Sequence, residues 1–593
     1  MDLLSSFPAF PITTIIAPFI SFLLLRSFAR NIRNHFVKKE TILSDLPFLG
    51  QERKQENKIQ AAVHGAAVVC GGSLAGLLTA RICADHFEKV YIIEPEAWVF
   101  TSEEGVEVES WKQKNKRTRV MQYYSAHGNL LPVTFGLKKL FADFERECQR
   151  SGISLLPANF NAYLMGNKLL CPYEEYQKQK QKREHGGTLP KSAASSRQAT
   201  ETLVRRLTLD KKRYPNITCI PGLVVGVERK EGVEGYLGKV VVQRDTGVRE
   251  EIDAALVIDC TGPARAGIKW LRQTGFGGGV HPLDDLTVSY DPQMRYVSFK
   301  FNIPSQLALD RGVPEFINAT KEVGMFTYRG GKECPVLVAA SKLEGDRVLV
   351  TCGTWGIDNL PEDVDGVREF IKSTLPTDSV QDWIWRFLDL CKEVEDTVEY
   401  CSVRTPPSSW THFESASDLP SNWIAVGDSV SRVNPIYAQG GCKAVMGVAA
   451  LNTLLHSLHK NEIGGIPEGF SKRFFRVQAD KIKPIWTGNK MIDYSYDTTI
   501  PEQGETLEAG SYIRWYLHQL ELLSAKVNDI HEHFRADLFT KSTKRHSKKQ
   551  DKQVGSLIWH SMNALGASID IVNPTIVGKV IFHALTGFVL GSW

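Results

Sequence analysis

The sequence predicts an α/β fold: a βαβ domain, a mixed β-sheet domain, a helical C-terminal region and an N-terminal transmembrane helix. Three observations carry this. A buried apolar strand enters a glycine turn and a helix near residue 70, β-rich segments fill residues 284–355, and residues 3–25 hold no charge. A chain of 593 residues is expected to form two or three structural units rather than one core.

The first element is the stretch Leu3–Leu25, rich in Leu, Ile and Phe. About 20 apolar residues suffice to cross a bilayer. Arg26, Arg30, Arg33, Lys38 and Lys39 follow at once, which predicts a single-pass anchor with the rest of the chain in the cytosol, at the endoplasmic reticulum. A cleaved signal peptide fits less well, because the charges follow the apolar core and no small-x-small site comes after it. Pro8, Pro11 and Pro18 leave open a segment lying in the membrane interface. Residues 1–40 are therefore read as anchor and basic flank, and 41–60 as a polar linker.

The second element starts at Ala66-Ala67-Val68-Val69-Cys70 and runs through Gly71-Gly72-Ser73-Leu74-Ala75-Gly76 into a helix. The next strand, Val90-Tyr91-Ile92-Ile93, ends at Glu94, 18 residues beyond Gly76. Gly71 permits the tight turn, and small residues at Gly72, Ser73 and Ala75 let backbone approach a pyrophosphate. Gly76 allows helix to pack on strand, and Glu94 is placed to accept ribose hydroxyls. Ser73 stands where a second glycine is usual; the complete strand, turn, helix, strand and acid is the stronger signal. This is a dinucleotide fingerprint, and no second one is visible. Gly275–Gly279 lacks a βαβ frame and reads as a flexible loop.

Further on, Lys178–Ser196 reads as a solvated loop. Tyr296–Phe301 alternates like a half-buried strand, and Val348–Thr351 resembles a more fully buried one. Residues 367–398 and those from 469 onward turn helical. A basic run at 541–552 and the apolar tail from Pro574 could each touch lipid, though a solvated loop and core packing are the plainer readings. The net charge of +4 gives no case for nucleic acid. The 11 cysteines, without any C-x-x-C pair, suggest free thiols in a reducing compartment and no metal site.

Three more segments follow in a telling order. Ala255–Gly262 is a strand ending in Asp259 and a T-G turn. Trp423–Asp428 ends in a G-D pair and leads to Pro435. Ala438-Gln439-Gly440-Gly441 comes next. With Arg117, Val120, Gln122 and His127, and with Ser196-Arg197, the set resembles the class A flavin monooxygenases, the family of para-hydroxybenzoate hydroxylase and squalene epoxidase. The resemblance covers roughly residues 60–460; Ala438 departs from it, replacing the first glycine of G-Q-G.

The resemblance implies a Rossmann-like FAD-binding domain of the GR2 type. Its two parts would be residues 60–280 and 416–460, enclosing a substrate domain at 281–415, with a helical region at 461–593. It implies FAD as cofactor and NAD(P)H as co-substrate. Asp428 would hold the ribityl chain, Gly440 and Gly441 would begin a helix facing the flavin ring, and Arg117 and Arg197 would approach the flavin. No catalytic acid or base is assigned, and His127 reads as structural. The expected activity is epoxidation or hydroxylation of a small lipophilic secondary metabolite such as a terpenoid or polyketide. The alternatives are a flavin dehydrogenase or prenyl-chain reductase and, lower, a non-catalytic flavin-binding membrane protein. A halogenase ranks low, since neither Trp383-Ile384-Trp385 nor Trp355-Gly356-Ile357 matches W-x-W-x-I-P.

Overall fold

The N-terminal helix α1, Ile12–Glu40, packs on a later helix and on the short segment Ser568–Ile571. The computed structural model describes residues 12–50, 63–120, 122–313, 325–375, 380–458, 464–524 and 551–589. Among these residues no helix is long and apolar enough to cross a membrane. The described part of the expected transmembrane helix is residues 12–25. Arg26 ends the uncharged part of α1, and residues 12–25 span about 21 Å at roughly 1.5 Å per residue, short of a hydrocarbon core of about 30 Å. Residues 3–11 of the expected span lie outside the described residues.

Of the expected 41–60 linker, residues 51–60 also lie outside them, but 41–50 are no linker. Ile42 and Leu49 are buried in the main core, and the Thr41 carbonyl accepts from Lys481 at 2.8 Å.

The strand Val63–Cys70 is buried from Ala66 onward and so cannot be an edge. It lies at the centre of five parallel strands, ordered Trp423–Ala425, Leu256–Asp259, Val63–Cys70, Phe87–Glu94, Ile217–Pro221. Helices α2 (Leu74–Ala84) and α3 (Arg197–Thr208) pack against each other beside it. The chain leaves this sheet after Asp259 and returns at Trp423, so the two outlying motifs become neighbours by sheet pairing.

The excursion builds a mixed sheet of seven strands, ordered Glu399–Arg404, Met294–Asn302, Arg347–Trp355, Val336–Lys342, Met325–Arg329, Ala162–Leu164, Asn167–Lys168. Its central strands are covered on both faces, which corrects the half-buried reading of Tyr296–Phe301. Val297, Phe299 and Phe301 pack under helices α4 (Val364–Thr374) and α5 (Asp382–Glu393). Met294 and Tyr296, on the alternate face, turn toward the first domain and cluster with Ile436 and Tyr437.

Residues 178–196 are also more structured than a solvated loop. A short helix covers Gln179–His185, Leu189 is buried, and Lys191–Ala194 pairs with Ser154–Pro157. The C-terminal part is helical as expected: α6 (Gly440–Leu458), α7 (Phe470–Asp493), α8 (Ser511–Ser524), α9 (Lys552–Met562) and α10 (Pro574–Val589). Most of the basic run at 541–552 lies outside the described residues.

Candidate active site

The turn after the first strand is built so that only glycine fits. Gly71 has φ +118°, and a Cβ there would stand 2.4 Å from the Cys260 carbonyl oxygen. A Cβ on Gly76 would lie 1.8 Å from the Gly71 oxygen, and one on Gly72 would meet Phe100 at 2.5 Å. Ser73 occupies the N-cap of α2 without capping it, since its hydroxyl donates instead to Glu201 at 2.7 Å. The first-turn N–H groups of α2 and the positive end of its dipole are thus left facing the turn.

Beside this turn lies a buried ionic cluster centred on Glu201, which no sequence motif announces. Glu201 is fully buried and accepts from Arg117, Arg205 and Ser73, with Arg197 at 3.0 Å. Burial opposes its ionisation, but Arg117, Arg197 and Arg205 outweigh that and hold its carboxyl far below the usual range. The i, i+4 spacing of Glu201 and Arg205 with Arg197 on α3 is the sequence trace of the two members that the motifs missed.

Arg117 is buried between three carboxylates, those of Glu94 (2.9 Å), Glu96 (2.8 Å) and Glu201. Glu94 is 3% exposed and accepts from the Gly72 N–H at 2.8 Å, which locks it against the glycine turn. Arg197 reaches Ser73 at 2.8 Å with one nitrogen, while its other terminal nitrogen, Nη1, is buried with no hydrogen-bond partner. That unspent donor points to a missing acceptor at the head of α2.

The second half of the site arrives from residues 427–441. Gly427 (φ +73°) sits so close to α2 that a Cβ would stand 3.0 Å from the Ala75 Cβ. Ser429 donates to Asp259 at 3.0 Å and accepts from the Gly262 N–H at 2.9 Å, which ties the T-G turn to the G-D turn. Asp428 is 41% exposed and receives a hydrogen bond from Lys443, itself 1% exposed on α6. Gly440 opens α6 with free space around it, and Gly441 packs near Val133 and Leu74. Ala438 adopts the left-handed conformation (φ 56°) that a glycine would hold without strain.

Where the two domains meet, Met294, Tyr296, Leu337, Trp355 and Tyr496 form an apolar, aromatic cluster with Ile436 and Tyr437 packed on it. Ala126 N–H donates to Ser298 across this boundary at 3.0 Å. His127 is half-buried, and its Nε2, itself buried, has no hydrogen-bond partner. Burial, with Arg197 nearby, pushes its pKa down to about 3, so the ring is neutral.

Asp493, which sequence reasoning missed, closes the far side. Its Oδ1 accepts from Trp355 Nε1 (3.0 Å), Asn434 Nδ2 (3.0 Å) and Tyr437 OH (2.8 Å), and its Oδ2 from Tyr290 OH (2.9 Å). Burial pushes its pKa up to about 6 in spite of these donors.

The sequence-predicted residues Gly71, Gly72, Ser73, Ala75, Gly76, Glu94, Arg117 and Arg197 therefore surround one turn, and Asp428, Gly440 and Gly441 face it from the opposite side. The set fits FAD. The open head of α2 and the unpartnered Arg197 nitrogen suit a pyrophosphate, and Glu94 stands beside the turn for a ribose. The start of α6 adjoins the apolar cluster, where the ring end would lie.

No family model matches the chain. It is similar to "Protein Rv3254" of Mycobacterium tuberculosis, with 22% identity over 439 residues, 72% of this chain and 80% of that protein. Among solved structures it is similar to the flavin-dependent brominase Bmp2, at 10% identity and a TM-score of 0.47, covering 85% of this chain and 95% of that one. PqsL of Pseudomonas aeruginosa, solved in complex with 2-aminobenzoylacetate, gives 14% identity and a TM-score of 0.47 over 73% and 95%. A flavoprotein/dehydrogenase from Cytophaga hutchinsonii gives 12% identity and a TM-score of 0.48 over 89% and 99%.

Proposed function

We propose that this chain is a membrane-attached FAD-dependent monooxygenase that uses NAD(P)H and O2 to epoxidise or hydroxylate a small lipophilic molecule such as a terpenoid or polyketide. The observation that carries the reading is the meeting of the Gly71–Gly76 turn with the Gly427–Asp428 turn, so close that a Cβ on Gly427 would stand 3.0 Å from the Ala75 Cβ. When bound there, FAD would supply the electron transfer from NAD(P)H to O2 and the oxygen delivered to substrate.

The chain's own residues bind, orient and exclude water. The α2 head and Arg197 would hold the pyrophosphate, Glu94 the adenosine ribose and Asp428 the ribityl chain. The α6 dipole would stabilise negative charge on the reduced ring. Asp493 fixes the Tyr437 hydroxyl, and through it the turn preceding α6. The cluster of Met294, Tyr296, Leu337 and Trp355 offers a dry, apolar wall, which favours an apolar substrate over a charged one.

A single dinucleotide fingerprint favours transient NAD(P)H binding over the two-fingerprint design of a disulfide-type reductase. A flavin dehydrogenase or prenyl-chain reductase is the second reading, since it would share every feature of the flavin site. Membrane attachment is supported by the exposed Leu23, Leu24, Leu25 and Phe28 of α1, where Leu25 is 67% exposed. Product made under 18O2 with lipophilic alkenes, analysed by mass spectrometry, tests the oxygenase reading. Label in the product is expected; NADPH oxidation giving an unlabelled, reduced or desaturated product would favour the second reading.

A further inference from the structure

Among the described residues, ten of the 21 large exposed apolar side chains stand on three helices. Leu25 and Phe28 stand on α1, Tyr512 and Trp515 on α8, and Phe582 and Leu585 on α10, with Tyr512 88% and Phe582 70% exposed. These are outer faces. The inner faces of α8, α9 and α10 already share a core of Leu520, Val554, Ile576 and Val580.

The three helices converge on one turn, residues 568–573. Arg33 of α1 holds Asp570 in a bidentate pair at 2.6 and 3.0 Å, and Glu40 accepts from Ser568 N–H and Oγ at 2.6 and 2.7 Å. Tyr516 of α8 donates to the Ile571 carbonyl at 2.6 Å, and His583 of α10 lies 3.1 Å from Gln519 of α8. Phe28 is thus five residues, about 8 Å of helix, from the junction, and Tyr512 is about one turn from Tyr516. Phe582 stands next to the His583 contact.

We propose that α1, α8 and α10 together form a monotopic docking face for a bilayer containing anionic lipid. Three features favour a bilayer as the occupant over a second copy of the chain. Exposed Arg26 and Arg30 alternate with Leu25 and Phe28, placing cations at headgroup depth beside apolar side chains. Tyr512 and Trp515 are the amphipathic rings that membrane interfaces favour. The uncharged residues 3–11 lead directly into α1.

The face also adjoins the apolar cluster where the two domains meet. Glu521 of α8 holds Arg329 of the mixed sheet at 2.8 Å, and Arg329 borders Tyr496 of the apolar cluster. This step rests on the membrane-attachment reading and extends it from α1 to the C-terminal helices.

The test is flotation of the full chain with phosphatidylcholine vesicles doped with phosphatidylserine. It compares the parent with Ile581→Glu/Phe582→Glu/Leu585→Glu and with Leu24→Glu/Leu25→Glu/Phe28→Glu. Bound flavin and circular dichroism verify folding, which exposed positions should preserve. Each triple variant is expected to lose roughly ten-fold or more of vesicle partition, since each removes three apolar contacts with lipid. Parental flotation of the α10 variant, with loss only in the α1 variant, overturns the docking face and leaves the anchor standing. A parent that floats with no vesicle overturns both. A lipid-free parent that is dimeric by light scattering, and made monomeric by the α10 changes, assigns the face to a second copy and likewise overturns the proposal.

Discussion

At Gly76 the nucleotide turn has no room for a single methyl group, because its nearest neighbour is backbone, the Gly71 oxygen. Gly76→Ala must therefore shift α2 off the strand. We expect loss of bound FAD and at least about 2 kcal/mol of stability, read by flavin absorbance per chain and by denaturant titration. Arg197→Ala removes a buried guanidinium nitrogen without a hydrogen-bond partner, so part of its cost should fall on ligand binding and part, through Glu201, on stability. FAD affinity should drop roughly ten- to a hundred-fold by calorimetry, the worth of a charge-assisted hydrogen bond. Lys443 and Asp428 make an asymmetric pair, the lysine buried and the aspartate half exposed. Asp428→Asn should thus destabilise the apoprotein by about 3 kcal/mol, more than Lys443→Met does, because it strands a buried ammonium. Equal melting temperatures for the two variants would contradict that order.

At the element scale, α7 carries a pH signature between pH 4 and pH 7. Asp493 at its C-terminal end has a folded pKa raised to about 6, above its unfolded value. Its contribution is fully present below the unfolded pKa and is lost as pH rises through about 6. The parent should therefore lose up to about 3 kcal/mol relative to Asp493→Asn between pH 4 and pH 7, as measured by melts across that range. A pH-independent difference between the two would contradict this. The contrast between α7 and α2 also explains what the sequence could reveal. The α2 turn is legible because strand, glycines, helix and acid lie within 30 residues, and local backbone needs fix their types. Asp493 meets Tyr437, Trp355 and Tyr290 across 56, 138 and 203 residues, and no local pattern encodes such a meeting. The same holds for Arg117, whose three carboxylates come from two separate segments. Residues 41–50 were hidden for the opposite reason. Their few apolar side chains look like a linker until Ile42 and Leu49 find a core built by distant helices.

Across the whole molecule, the chain makes one parallel sheet, departs to build a mixed sheet, and returns so that its second glycine-acid turn faces the first. That return joins two halves of a site, and it places the apolar cluster of the mixed sheet beside the start of α6. The direct test is hydrogen exchange by mass spectrometry during titration of FAD into apoprotein. Peptides covering 70–78 and 426–441 should become protected together, at the same FAD dose, one flavin per chain. Protection of only one of them, or of neither, would contradict a single dinucleotide held between the two turns.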